Sequence, residues 1–165
     1  MNIAIVDDIA AERALLRSRL ERQLSRRNIQ ANLLEYETGE AFLSSCAKLQ
    51  FAVLFLDIYM NGVNGIETAK QFRSMDARCL LIFTTTSTDH ALEGFRVRAM
   101  HYLVKPYTEE MISDLIDEIL ARLPSTERYM TLKLNGTEVP LPFPALFKRN
   151  LFPLLTNFLT PQTPD

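Results

Sequence analysis

Runs of consecutive apolar residues alternate along the chain with stretches in which apolar residues recur every third or fourth position. Phe51 to Asp57, FAVLFLD, is apolar up to its final aspartate. It is too short to cross a membrane and lacks the alternate polar positions of a surface strand, so it predicts a buried central strand of a parallel sheet. Asn2 to Val6, Asn32 to Tyr36, Cys79 to Phe83 and Met100 to Val104 are further strand-like runs. Between them lie helical patterns. Leu16, Leu20 and Leu24 share one face, with Arg13, Arg17, Arg19, Glu21 and Arg22 between them, and Asp8 is a candidate cap for this helix. Thr38-Gly39-Glu40 opens a second helix carrying Ala41, Phe42, Leu43 and Leu49, and Ile66 to Phe72 forms a short third one. A fourth is expected over Asp89 to Val97. Thr108 caps the last, with Glu109 and Glu110 in its first turn and Ile112, Leu115, Ile116, Ile119 and Leu120 on one face. Strand and helix thus alternate five times, which predicts a doubly wound α/β fold with helices on both faces of a five-stranded parallel sheet.

From Ser125 the texture changes. Tyr129 to Val139, YMTLKLNGTEV, alternates around Asn135-Gly136, a hairpin signal. Six of the chain's eight prolines fall at or after Pro140, which excludes a regular central strand and leaves few uninterrupted helical turns.

With 47% apolar residues, the 165-residue chain can bury the core of one ordinary domain and carry a short extension. A net charge of −2 gives no global attraction to nucleic acid or anionic membranes. Cys46 and Cys79 lie far apart and His90 and His101 are isolated, which disfavours zinc and suits a reducing compartment. No run has signal-peptide or transmembrane character, so a cytoplasmic protein is expected.

The polar residues that end the strands would converge on one sheet edge. Asp7 and Asp8 follow strand one, Asp57 ends strand three, Thr84 and Thr85 follow strand four, and Lys105 follows strand five. Neighbouring carboxylates are costly unless a cation neutralises them, and an oxygen-only donor set suits Mg²⁺. Lys105 and a hydroxyl of Thr84 or Thr85 would stabilise charge on a phosphoryl group transferred to a carboxylate. Taken alone, Asp57 could equally cap the turn before Asn61-Gly62, Thr84 to Thr88 could be a polar loop, and Tyr102 a half-buried aromatic.

This constellation resembles the receiver domain of two-component response regulators. The matching pieces are IVDD at Ile5 to Asp8, LFLDIYMNGVNG at Leu54 to Gly65, FTTTSTDHALEGF at Phe83 to Phe95, and HYLVKP at His101 to Pro106. The resemblance covers residues 1–123. It implies a flavodoxin-like, CheY-like sheet of order 2-1-3-4-5. It makes Asp57 the phosphoacceptor, and gives Mg²⁺ to Asp7, Asp8, Asp57 and the backbone carbonyl of Tyr59. Thr85 becomes the switch hydroxyl, Tyr102 the switch aromatic and Lys105 the phosphate-contacting lysine. A sensor histidine kinase is the implied phosphodonor. A homodimer through the fourth helix, fifth strand and last helix is a further implied partner.

Two departures stand out. Asn61 occupies a place where the family usually has proline, which would loosen that turn, and Thr86 replaces a more usual alanine, narrowing access to the phosphate.

ALEGFRVRAMHYLVKPY, and the β-rich start at TLKLNGTEVPLPF, further resemble regulators of the LytTR class (LytR/AgrA-like), whose second domain binds DNA. That implies a receiver at 1–123, a linker at 124–128 and, at 129–165, a truncated or aberrant remnant of the output domain. Its expected cause is a truncation or frameshift from about Pro140. With four bases against three acids after residue 124, autonomous DNA binding is not expected.

Other classes fit less well. An aspartate-nucleophile phosphatase would usually place a second Asp where Tyr59 stands, so no enzyme acting on an external substrate is expected. A flavin carrier needs a phosphate loop where Asp7-Asp8 would repel the phosphate. A receiver-like interaction module that is never phosphorylated is the remaining alternative.

Overall fold

Successive strand residues point to opposite faces of a sheet, and here each face receives its own set of apolar side chains. Ala4, Val6, Leu54, Leu56, Leu81 and Phe83 belong to one core, and Ile3, Ile5, Val53, Phe55 and Ile82 to the other. The computed structural model describes residues 1–87 and 95–123, together with the backbone of 129–134 and 137–142. Its strands are β1 (Asn2–Val6), β2 (Asn32–Tyr36), β3 (Val53–Asp57), β4 (Leu80–Thr85) and β5 (His101–Val104). They form one parallel sheet of order β2-β1-β3-β4-β5, as expected. The central strand β3 is buried along its whole length.

Helices α1 (Ala10–Arg26) and α4 (Glu109–Arg122) cover one face. Leu16, Leu20 and Leu24 of α1 pack there with Ile112, Leu115, Ile116 and Ile119 of α4. Helices α2 (Gly39–Ser45) and α3 (Gly65–Met75) cover the other, bringing Phe42, Ile66, Ala69 and Phe72. Phe42 sits at the middle of an aromatic group, with ring centroids 5.6 Å from Tyr36, 5.4 Å from Phe51 and 5.0 Å from Phe72. Such pairs add to the burial of each ring.

Local signals set the helix starts. Thr108 Oγ1 accepts from the Met111 N–H, so the predicted cap of the last helix is in place, and Thr38 Oγ1 accepts from the Ala41 N–H, capping the helix that Thr38-Gly39-Glu40 was expected to open. Some boundaries differ from expectation. β3 starts at Val53 rather than Phe51, and β4 runs on to Thr85. Leu49 lies beyond α2, which ends at Ser45. α3 starts at Gly65, because Asn64 caps it by accepting from the Glu67 N–H at 2.9 Å, and it continues to Met75. Asp8 does not cap α1: Ile9 holds the cap position, and its N–H donates to Asp7 Oδ1 at 2.8 Å. The helix expected over Asp89 to Val97 falls mostly outside the described residues, as do the 124–128 linker and residues 143–165.

The chain divides into two compact units, Met1–Leu123 and Pro124–Asp165. In the second, β6 (Tyr129–Leu134) and β7 (Thr137–Pro142) pair antiparallel, Leu134 opposite Thr137 and Thr131 opposite Pro140. Both strands of a two-stranded ladder are edges, where proline's missing N–H is tolerated. No helix among the described residues is long and apolar enough to cross a membrane.

Candidate functional site

Parallel register carries the polar strand ends to one place. Val6 pairs with Leu56, Asp57 with Thr84, and Thr85 with Val104. Asp7, Asp57 and Lys105 therefore emerge side by side at the C-terminal edge of β1, β3 and β5, where ligands bind in open α/β sheets. One carboxylate oxygen from each of Asp7, Asp8 and Asp57 lies within 4.8 Å of the others. Lys105 Nζ donates to Asp7 Oδ2 at 2.7 Å and lies 3.2 Å from Asp57 Oδ1 and 3.9 Å from Glu12 Oε2.

Asp7 and Asp57 are buried and Asp8 is half-buried. Burial pushes the Asp57 carboxyl up to about 6; Lys105 works against this, and the charges of Asp7 and Asp8 work with it. Burial alone would lower Lys105, but its hydrogen bond to Asp7 and the charge of Asp57 outweigh that and hold its pKa above the ordinary value. A single ammonium facing three carboxylates leaves the cluster electron-rich. All-oxygen donors at this spacing are the kind of set that holds a hard divalent cation.

The remaining expected residues are placed less directly. Thr85 is buried at the end of β4, and its hydroxyl donates to Ser87 O at 2.9 Å and accepts from the Ser87 N–H at 3.2 Å. Its backbone carbonyl accepts from the Lys105 N–H at 2.7 Å, which couples the ends of β4 and β5. Thr84 O accepts from the Ile58 N–H at 3.2 Å. Tyr102 is half-buried, its ring 5.3 Å from that of Phe83, and the Tyr59 side chain is exposed in the loop after β3. The two cysteines are free thiols, Cys79 buried and Cys46 half-buried.

Three contributors were not legible as site residues. Asn61 donates to Asp8 Oδ2 through both its backbone N–H, at 2.9 Å, and its side-chain Nδ2, at 2.7 Å. Arg13 Nη1 donates to Asp7 O at 2.5 Å. Gly65 sits against the end of β3, and a Cβ there would fall 2.0 Å from Asp57 O. Each depends on a contact between separate segments. The only local sign was the Asn61-Gly62 pair, which signals a turn.

A family model described as the response regulator receiver domain matches residues 3–117. The chain is 33% identical over 135 residues to the sensory transduction protein LytT of Oceanobacillus iheyensis, covering 81% of this chain and 54% of that protein. It is 35% identical over 118 residues to the positive alginate biosynthesis regulatory protein of Pseudomonas aeruginosa, covering 70% of this chain and 46% of that protein. The chain spans about half the length of the curated relatives it matches. Among solved structures, the response regulatory domain of mrkE from Klebsiella pneumoniae superposes with a TM-score of 0.63 at 23% identity, covering 73% of this chain and 96% of that one. TrrA from Thermotoga maritima, solved in complex with Mg²⁺ and BeF, gives 0.61 at 23% identity, covering 72% and 97%. At these identities the structural likeness is one of fold.

Proposed function

The chain belongs to the response regulator receiver family, and from that premise we propose that it is a phosphorylation-controlled switch whose phosphoacceptor is Asp57. The observation that carries this reading is the position of Asp57: a buried carboxylate at the end of the central strand, 3.2 Å from Lys105 and clustered with two further carboxylates. In the proposed step an oxygen of Asp57 attacks the phosphorus of a phosphohistidine on a sensor kinase. The bond from phosphorus to the imidazole nitrogen breaks, and the nitrogen keeps the electron pair. Mg²⁺, held by Asp7, Asp8, Asp57 and the Tyr59 backbone carbonyl, would supply positive charge beside the phosphoryl oxygens. Lys105 neutralises the same oxygens from the β5 side, and the Thr85 hydroxyl leaves Ser87 to donate to one of them.

The movement of Thr85 frees space beside Phe83 for Tyr102 to turn further in. β5, α4 and the segment before β5 then change their affinity for a partner or a second copy of the chain. The protein turns over no external substrate on this reading. We read the second unit as related to a LytTR-type output domain, with transcriptional control belonging to full-length relatives.

The test is incubation of the full chain with Mg²⁺ and acetyl phosphate, read by intact mass, with Asp57→Asn alongside. A single phosphoryl adduct that needs Mg²⁺ and is lost in the variant is expected. An adduct persisting in the variant would move the acceptor elsewhere. No adduct in either protein would leave a receiver-like interaction module that is never phosphorylated.

A further inference from the structure

At the sheet edge opposite Asp57, where β4 and β5 begin, a cavity of about 570 Å³ opens. Arg73, Arg78, Arg96, Arg98 and Arg122 line it, Phe95 stands at it, and among the described residues no Asp or Glu does. We propose that this cavity binds a nucleotide-sized phosphorylated ligand, with Arg78, Arg96, Arg98 and Arg122 taking its phosphates and Phe95 its aromatic ring.

The cavity wall is held in place. Arg73 Nε donates to Val97 O at 2.7 Å, Nη1 to Cys79 O at 2.8 Å and Nη2 to Arg98 O at 3.2 Å. One guanidinium thus ties the end of α3 to the start of β4 and to the turn before β5. The Arg98 N–H donates to Phe95 O at 3.1 Å, and Arg98 itself takes φ 52°, the left-handed region that few residues with a Cβ adopt. This turn presents Phe95, Arg96 and Arg98 to the same opening.

Positive charge gathers here in a chain whose net charge is −2. Among the described residues, Arg78, Arg96, Arg98 and Arg122 form no ion pair, whereas Arg17, Arg22 and Arg27 each do. The nearby acid, Asp76, has its Oδ1 engaged by the N–H groups of Arg78 at 2.7 Å and Cys79 at 3.1 Å. Clustered like charges repel one another, and an anion relieves that repulsion. Guanidinium groups match phosphate by bidentate, charge-assisted hydrogen bonds. Phe95 is 84% exposed, an apolar ring left in water beside the cations. A flat ligand ring would cover it by stacking. The volume lies within the range of small-molecule sites, roughly 300–1,000 Å³.

Calorimetric titration of the full chain with ATP, inorganic pyrophosphate and adenosine, in EDTA so that the acidic edge holds no metal, tests this. Saturable binding of ATP, tighter than pyrophosphate, is expected. Arg96→Ala and Arg122→Ala should each weaken it about tenfold, the loss of a charge-assisted contact. Phe95→Ala should weaken ATP and leave pyrophosphate unchanged, and Asp57→Asn should bind ATP like the parent. The Phe95, Arg96 and Arg122 side chains are exposed, and an unchanged melting temperature in each of their variants confirms the fold. Four results would overturn the proposal: no ATP binding, pyrophosphate binding as tight as ATP, arginine variants without effect, or self-association that the same variants abolish. The last would make the patch an interface between copies of the chain.

Discussion

Asn61 shows how one residue can do the reverse of what its place in the sequence suggests. Where the family usually has proline, an asparagine was expected to loosen the turn, yet Asn61 clamps Asp8 Oδ2 with two N–H donors. Proline could supply neither. The clamp fixes the Asp8 carboxylate beside Asp7 and Asp57, so Asn61 is a positioning residue for the acidic cluster. Asn61→Ala is expected to weaken Mg²⁺ binding about tenfold, the lower end of what loss of an outer-shell partner costs; calorimetric titration measures it, and tighter binding would show that the amide competes with the ion. A second prediction concerns pH. The Asp57 pKa is raised to about 6 in the fold from an ordinary value of 3.8. The folded state therefore binds more protons than the unfolded one between those values, and the metal-free protein loses stability as pH rises through that window. The cost is fully present above about 6, where the carboxylate is ionised, and a cation relieves it there. The rise in melting temperature caused by Mg²⁺ should accordingly be larger at pH 7 than at pH 5, and an equal rise at both would contradict the raised pKa. Asp7, Asp57 and Lys105 were readable as site candidates because each directly follows or ends an apolar run. Asn61 and Arg13 were not, because their partners lie on another segment.

Whole elements were legible wherever one physical signal acted alone. Strands announced themselves as apolar runs, and α4 by its cap and its apolar stripe. Errors fell at boundaries set by contacts between elements: α3 starts one residue earlier than its apolar pattern, at Gly65, because its first turn must pass directly over the end of β3. The Gly65 N–H donates to Ile58 O at 3.0 Å, and a Cβ would fall 2.0 Å from Asp57 O and 2.9 Å from the Ile58 Cα. Backbone atoms cannot yield as a side-chain tip can, so Gly65→Ala must push α3 away from β3. Overpacking of this kind costs about 1–3 kcal/mol. We expect that loss in urea unfolding, together with a reduced yield of the Asp57 adduct, because the loop carrying Tyr59 and Asn61 moves with α3. Unchanged stability would mean that α3 shifts freely and does not set the site.

At the scale of the whole molecule, the decisive fact is where the apolar surface is buried. Among the described residues, both cores, with Phe42, Phe55, Phe72 and Phe83 among their fully buried side chains, lie within residues 1–123, and so does every residue of the acidic site. The sheet's outer strands, β2 and β5, both belong to that unit as well. Strands β6 and β7 pair with one another in an antiparallel ladder, and the Asn135-Gly136 signal was visible in the sequence because adjacent strands need no distant partner. A chain ending at Leu123 should therefore retain the phosphoryl adduct on Asp57. Its urea midpoint should match that of the full chain, the outcome expected where the receiver unit carries its own core, since surface substitutions away from a core shift stability by about 0.5 kcal/mol or less. A fall of about 2 kcal/mol or more would be a large fraction of the 5–15 kcal/mol typical of a domain. It would mean that the second unit completes the receiver's core, and the chain would then have to be treated as one cooperative body.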